Sequence, residues 1–310
     1  MKAIAIARIG GPEVLEAVDL PEPHAGPGEV RIRVAAAAVN PTDTVFRAGW
    51  YRRDIDDGLP DVPGMDAAGT VDEVGEGAPW SIGDDVMAIV LPTGPHGGAY
   101  ASQIVVPAAS VARIPAGSTP IEASTLPMNG LTARRSLDQL ALSPGQTLAV
   151  TGAAGAYGGY VIQLAKQDGL QVVADASEDD EALVRALGAD VIVRRGDDVA
   201  QRIREVMPDG VDGLADGAVL DDKVLAAIKG GGGLAVVRGW NGPIERDITL
   251  HKTFVSHYAL DHDALDRLRQ QVEAGQVTLR VADTYDAADA PQAHRRLEAG
   301  GTRGRLVITF

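Results

Sequence analysis

The chain has no cysteine in 310 residues. That removes disulfides, thiolate nucleophiles and every cysteine-ligated metal site. Aromatic residues are scarce, at 4%. Positive charge is in deficit: 28 Lys and Arg stand against 43 Asp and Glu, a formal charge of −15. Such a surface repels polyanions, and no basic cluster is interleaved with aromatics, so neither nucleic acid nor an anionic membrane is expected as a partner. No apolar run approaches the length of a membrane span. The opening MKAIAIARIGGPEVLE alternates and soon meets charge and glycine, which reads as a strand rather than a signal peptide. The expected location is therefore cytoplasmic. The 45% hydrophobic and 23% charged residues that remain suit a soluble globular protein with room for two domains.

Among what is present, the segment VTGAAGAYGGYVIQLAKQDGLQVVADAS (150–177) is the most informative. Residues 148–150 read as a short buried strand, followed by Gly152, Gly155 and Gly158 at three-residue spacing. Residues 160–166 read as a helix that stops at Gly169, and 171–174 as the next strand. A helix N-terminus has unpaired N–H groups and the positive end of its dipole, so a diphosphate sits there once no side chain blocks it. Three spaced glycines alone fit an ordinary tight turn equally well. The strand before, helix after and second strand behind favour dinucleotide binding.

The rest of the chain changes rhythm once. Residues 1–120 hold short apolar runs (30–34, 69–74, 85–90, 104–106) between turn residues, the pattern of a β barrel or sandwich. From Pro120, strands at 147–151, 171–175, 190–193, 211–215 and 234–238 alternate with helices at 158–168, 179–187, 197–206 and 220–229. That alternation predicts a parallel sheet covered by helices. Glycines 230–233 read as a tight turn capping the last of these helices. Helices near 263–274 and 290–299 and a closing strand at 304–309 follow. The expected fold class is α/β: a β domain from residues 1–120 with 260–310, and a doubly wound dinucleotide-binding domain over 121–259.

AAVNPTDTVFRAGWY (37–51), PGMDAAGTVDEVGEG (63–77), GDDV (83–86), GGAYASQIVVPA (97–108), LPMNGLTARRSL (126–137), the glycine turn, LGAD (187–190) and LEAGGTRGRLVI (297–308) occur in one order. Together they resemble the zinc-independent branch of the medium-chain dehydrogenase/reductases, the quinone oxidoreductases of ζ-crystallin type. The resemblance implies a GroES-like domain, a Rossmann domain, an active site in their cleft and a homodimer through the edge of the Rossmann sheet. Zinc-dependent relatives carry a cysteine where this chain has Asn40, and a histidine in a GHE motif where it has Gly64, Met65 and Asp66. With neither ligand present, no catalytic zinc is expected. The implied partner is a small-molecule quinone, whose developing oxyanion is already delocalised, or an enone. A 2-enoyl thioester or enone reductase and a non-catalytic NADPH-binding crystallin-like protein remain alternatives.

By the same resemblance, Asn40 and Asp43 line the nicotinamide side of the site. Tyr51 is the one hydroxyl placed to touch a substrate carbonyl; it equally closes a loop beside Trp50. Cofactor contacts are expected from Thr132, from Gly152, Ala153, Gly155, Ala156, Tyr157 and Gly158 of the turn, and from Ser177, Arg195, Gly239, Trp240, Arg303 and Arg305. Thr132 reads equally as a plain helical threonine, Trp240 as a dimer contact, and the two terminal arginines as surface residues. Two signals conflict over the 2′ position. Residues 177–181 (SEDDE) would repel a phosphate, and Asp175 is one residue too early to bind ribose and alternates to the other face of its strand. Arg195, beside Arg194, could hold a 2′-phosphate bidentately. NADPH is the expected cofactor, with NADH possible. Substrate-pocket residues are expected in the polar loop 52–61 and near Met128 and Trp240.

Overall fold

The computed structural model describes residues 1–53 and 58–310. Residues 54–57 of the polar loop lie outside the described residues. Near the N-terminus, β1 (Lys2–Ile6) pairs antiparallel with β2 (Leu15–Asp19). β3 (Glu29–Ala38) follows, its alternation turning Val30, Ile32 and Val34 inward and Arg31 and Arg33 outward. α1 (Pro41–Arg47) starts with asparagine at the N-cap, proline at the first helical position, and Asp43 three residues after the cap accepting the Asn40 N–H at 2.8 Å. Strands β4 (Asp66–Val74), β5 (Asp85–Ile89), β6 (Gln103–Pro107) and β7 (Val111–Arg113) come next. α2 (Pro120–Ala123) has a Thr119–Glu122 capping box, and α3 runs over Pro127–Leu140.

The middle of the chain then alternates: β8 (Thr147–Thr151), α4 (Ala156–Gln167), β9 (Gln171–Ala176), α5 (Glu181–Ala186), β10 (Val191–Arg194), α6 (Val199–Val206), β11 (Val211–Asp216), β12 (Ile228–Val236) and β13 (Thr249–Lys252). The last stretch holds α7 (His262–Glu273), β14 (Val281–Asp286), α8 (Ala290–Glu298) and β15 (Arg305–Thr309). Two compact units result. One comprises Met1–Met128, Ser256–Ala274 and Leu279–Phe310; the other comprises Asn129–Val255 and Gly275–Thr278.

In the first unit, β14-β15-β3-β4-β5-β7 form a sheet, with β6 also pairing β3. Its core joins Val30, Ile32, Phe46, Val86, Tyr100 and Ile104 to Ala290, Ala293 and Ile308 from the returning C-terminal segment. In the second unit a six-stranded parallel sheet runs β10-β9-β8-β11-β12-β13. Strand order reverses between β8 and β11, so their carboxyl ends flank the switch point where ligands bind in doubly wound folds. The two domain types are those expected.

Two local readings are corrected. α4 begins at Ala156, two residues before the expected start. The expected helix at 220–229 is a 3-10 turn over Asp221–Ala227, and glycines 230–233 lie inside β12 rather than at a helix end. Packing is the reason. A Cβ on Gly232 would sit 2.7 Å from the Asp212 carbonyl oxygen, and one on Gly233 2.7 Å from Leu140. Gly231 is left-handed, at φ +76°, where the register jumps from Val211–Ile228 to Gly213–Gly233.

Candidate active site

The glycine turn leaves β8 at Thr151. Gly152 is left-handed (φ +65°), and a Cβ there would meet the Gly217 carbonyl carbon at 2.8 Å. A Cβ on Gly158 would lie 2.4 Å from the Gly152 oxygen and 2.8 Å from Ala153 Cα. The first turn of α4 therefore presses directly on the loop, and only glycine permits it. Gly155 is the N-cap, and no side chain caps the helix. This leaves the dipole end of α4 with backbone alone facing outward, a cradle that suits a diphosphate.

The other residues expected around the turn divide by what they touch. Tyr157 turns its hydroxyl to Ser136 Oγ at 2.7 Å, which ties α4 to α3; Ser136 also bonds the Thr132 carbonyl and the Thr253 hydroxyl. Thr132 itself is buried in α3. Asp175 does not turn away: it is buried, and its Oδ1 accepts the Ala153 N–H at 3.0 Å. Burial raises its pKa, while the turn's N–H groups and the charge of Arg195 oppose the rise. Arg195 has an exposed side chain, and its N–H donates to the Ala176 carbonyl. Arg194 is paired with Glu178 at 3.0 Å. The Ser177 hydroxyl donates to Asp180. Beyond β12, Gly239 is left-handed (φ +62°) and Trp240 packs on the core of the unit.

The first unit gathers a second cluster. Asn40 and Asp43 flank the start of α1, and both are fully buried. Asn40 Nδ2 donates to Asp66 Oδ2 at 2.8 Å. Asp66 Oδ1 accepts the Met128 N–H at 2.6 Å. Arg305, expected beside the cofactor or on the surface, is instead 4% exposed and points inward. Its Nη2 donates to Asn40 Oδ1 at 2.6 Å, to Asp66 Oδ2 at 3.1 Å and to the Val39 carbonyl. Burial raises the pKa of Asp66, and the Arg305 charge opposes it. Arg303 stays partly exposed and bonds the Thr302 carbonyl. Tyr51 donates its hydroxyl to the Thr42 carbonyl at 2.9 Å and packs at a tilt on Phe46, with ring centroids 5.5 Å apart. Burial and the charge of Asp43 push its phenol well above the ordinary range, so it keeps its proton at neutral pH.

Comparisons with known proteins fit this arrangement. Residues 26–116 match the alcohol dehydrogenase GroES-like domain, and 187–308 match the family described as zinc-binding dehydrogenase. A quinone oxidoreductase of Pseudomonas aeruginosa is 30% identical over 99% of both chains. The chain belongs to the quinone oxidoreductase family of medium-chain dehydrogenase/reductases. Its other relatives include an NADPH-dependent alkenal/one oxidoreductase of Arabidopsis thaliana, 31% identical over 99% of this chain and 79% of that one. A mycobacterial structure in complex with NADPH superposes with a TM-score of 0.87, at 31% identity over the whole of both chains.

Zinc, implied by the name of one matching family, does not fit the residues of this family member. The chain has no cysteine, and among the described residues no group of three His, Asp or Glu side chains is arranged to hold a metal. Asn40 spends its side chain on Asp66 and Arg305, and the guanidinium already supplies the cation there, so a metal would face like charge. Sequence reasoning missed Tyr100, which donates to Asp43, and His294 and Arg47 in line behind it. A signal existed, since Tyr100 stands alone between Ala99 and Ala101, and His294 falls on the apolar stripe of α8 with Ala290 and Leu297.

Proposed function

We propose that this chain is an NADPH-dependent, zinc-independent reductase of quinones or other conjugated carbonyls. The observation that carries the reading is a glycine turn packed too closely for side chains, in a chain whose Asn40–Asp66 cluster is neutralised by a guanidinium. The reduced nicotinamide, when bound, supplies hydride. Ala156, at the start of α4, would hold the diphosphate through its backbone N–H, in the space that Gly152, Gly155 and Gly158 keep free of side chains, while Ala153 gives its N–H to Asp175 and fixes the turn. Arg195, exposed and next to the end of β9, would take the 2′-phosphate, with Ser177 beside it. Thr132, Gly239, Trp240 and Arg303 would border the cofactor. Arg305 acts instead as the positioning group of Asn40 and Asp66. Tyr51, which holds its proton at neutral pH, would donate a hydrogen bond to the acceptor's developing oxyanion by turning its hydroxyl away from the Thr42 carbonyl. A homodimer through an edge strand of the parallel sheet belongs to this reading.

Parallel assays of NADPH and NADH oxidation with an ortho-quinone and no added metal test it. NADPH should be preferred, and Arg195→Ala should raise its KM about tenfold while leaving NADH unchanged, the loss of one charge-assisted contact. A preference for NADH would assign the ribose pocket to the acidic 177–181 segment. Cofactor binding without turnover of any acceptor would overturn the reading for a non-catalytic binding protein. An enone acceptor is the second reading, favoured by the protonated Tyr51. It predicts that Tyr51→Phe loses turnover with enones but keeps it with quinones, and equal turnover of both would remove it.

A further inference from the structure

A line of buried polar groups runs through the first unit behind Asp43 and is not used by the function proposed above. It starts at Arg47 on α1, which pairs with Glu298 of α8 and donates Nε–H to the Gly10 carbonyl at 3.0 Å. Arg47 Nη1 lies 2.9 Å from His294 Nδ1. A guanidinium has no acceptor, so Nδ1 must accept and carries no hydrogen. The neutral ring then bears its hydrogen on Nε2, which is 3.1 Å from the Tyr100 hydroxyl. Tyr100, having accepted there, donates its own hydrogen to Asp43 Oδ2 at 3.0 Å. Each bond fixes the direction of the next. The chain of donors is one-way, and it ends on a carboxylate.

The charges around Asp43 are distributed unequally. Arg47 is matched by Glu298, and Arg305 by Asp66. Among the described residues, Asp43 receives only neutral donors: the Tyr100 hydroxyl and the Asn40 N–H, both on Oδ2. Its Oδ1 is buried with no hydrogen-bond partner among the described residues. The other titratable groups that face it are Asp66 from β4, which disfavours its charge, Arg305 from β15, which favours it, and Tyr51 beyond α1. Two carboxylates thus share one inner cation, and that cation is hydrogen-bonded to the other one. An orphaned, uncompensated carboxylate oxygen in an apolar setting is where a proton goes.

We infer that Arg47, His294 and Tyr100 are positioning residues whose one-way hydrogen bonds end on Asp43 and make that carboxyl the proton-exchanging group of the cluster. It binds a proton on Oδ1 as pH falls and loses it as pH rises, while Oδ2 stays held by Tyr100 and Asn40. The chain does not itself conduct protons, because its outer member, Arg47, does not give one up. Burial places the exchange of Asp43 at about 7. Burial and the Arg47 charge push His294 down to about 3, so the ring stays neutral and the direction of the chain is kept.

The relevance to catalysis rests on the reading of Asp43 as a residue of the reductive site, and the test separates the two claims. Carboxyl-carbon NMR of the whole chain, labelled at aspartate and titrated without cofactor or acceptor, follows Asp43 directly, with Asp43→Asn identifying its signal. The expected midpoint lies near neutral pH. Tyr100→Phe removes the donor to Oδ2 and should make Asp43 about tenfold less acidic. His294→Gln, which keeps an N–H at the place of Nε2, should titrate like the wild type, whereas His294→Leu should move towards Tyr100→Phe. A midpoint near 4, the ordinary carboxylate range, overturns the inference. So does an unchanged midpoint in folded Tyr100→Phe, or, where that variant does not fold, identical midpoints in the two His294 variants. If the NMR behaviour is as expected but the pH profile of kcat/KM has no limb that follows it, the inference stands and the placement of Asp43 in the reaction falls.

Discussion

At the residue scale, the tightest constraint in the glycine turn is Gly158. Its Cβ position lies 2.4 Å from the Gly152 oxygen and 2.8 Å from Ala153 Cα, both backbone atoms that cannot rotate away. Gly155 is less constrained: a Cβ there would meet the Gly152 oxygen at 3.0 Å. The two glycines share a motif but differ in consequence. Gly158→Ala must push α4 off the turn, and a displacement of that kind in a packed core costs roughly 2–3 kcal/mol. Dinucleotide affinity should fall with it, because the cradle is the same backbone. Gly155→Ala needs only a few tenths of an ångström of adjustment and should cost less than half as much. Thermal unfolding of both variants, paired with NADPH titration by fluorescence, checks the ranking. Equal stabilities would mean that the approach of helix to turn is not what glycine serves here.

At the scale of elements, the loop after β11 shows what holds the switch point open. Asp216, buried at the strand end, accepts the Thr151 hydroxyl at 2.6 Å, the Ala218 N–H at 3.2 Å, and the Leu220 and Asp221 N–H groups at 2.7 and 2.8 Å. These bonds join β8 to β11 and hold Val219 and Asp221 in left-handed conformations, at φ +56° each. A β-branched residue does not adopt that conformation unaided. Asp216→Ala leaves the Thr151 hydroxyl and the Leu220 and Asp221 N–H groups without their acceptor, while Ala218 keeps Thr151 Oγ, and should cost about 3 kcal/mol or more, with the amides of 217–221 losing hydrogen-exchange protection first. Retained protection there would show that the loop does not depend on the carboxylate. The same loop marks where sequence reading stops. The alternation of β8 to β11 and α4 to α6 was legible, because the apolar periods repeat and the glycines punctuate them. The 3-10 turn at Asp221–Ala227 and the early start of β12 were not, because a glycine run gives no period and its reason lies in Leu140 and Asp212, distant in sequence. The candidate site divides in the same way. Asn40, Asp43 and the turn glycines carry local patterns, while Arg305 meets Asn40 across 265 residues.

For the whole molecule, the buried chain of the first unit sets two opposed pH dependences. Asp43 has a folded-state pKa raised to about 7, against about 4 in the unfolded chain. Between those values the folded protein holds a proton that the unfolded chain lacks, so stability falls as pH rises, by about 1.4 kcal/mol per pH unit. His294 is depressed to about 3 from about 6.5. Between those values the unfolded chain holds the extra proton, so stability rises with pH at the same slope. Over the shared window, from about 4 to about 6.5, the two contributions cancel. The pair therefore adds almost no pH dependence there, although each member alone would contribute on the order of 4 kcal/mol. Single substitutions should expose what the pair conceals. Relative to wild type, Asp43→Asn should gain stability steadily from pH 4 to 7, and His294→Gln should lose it from pH 3 to 6.5. Urea unfolding at half-unit pH steps reads both, with fluorescence of the partly buried Trp80 reporting on the unit that contains the pair. Parallel stability curves for the three proteins would mean that neither group changes its proton affinity on folding. Opposite slopes would locate both titrations in the line of bonds that runs from Arg47 to Asp43.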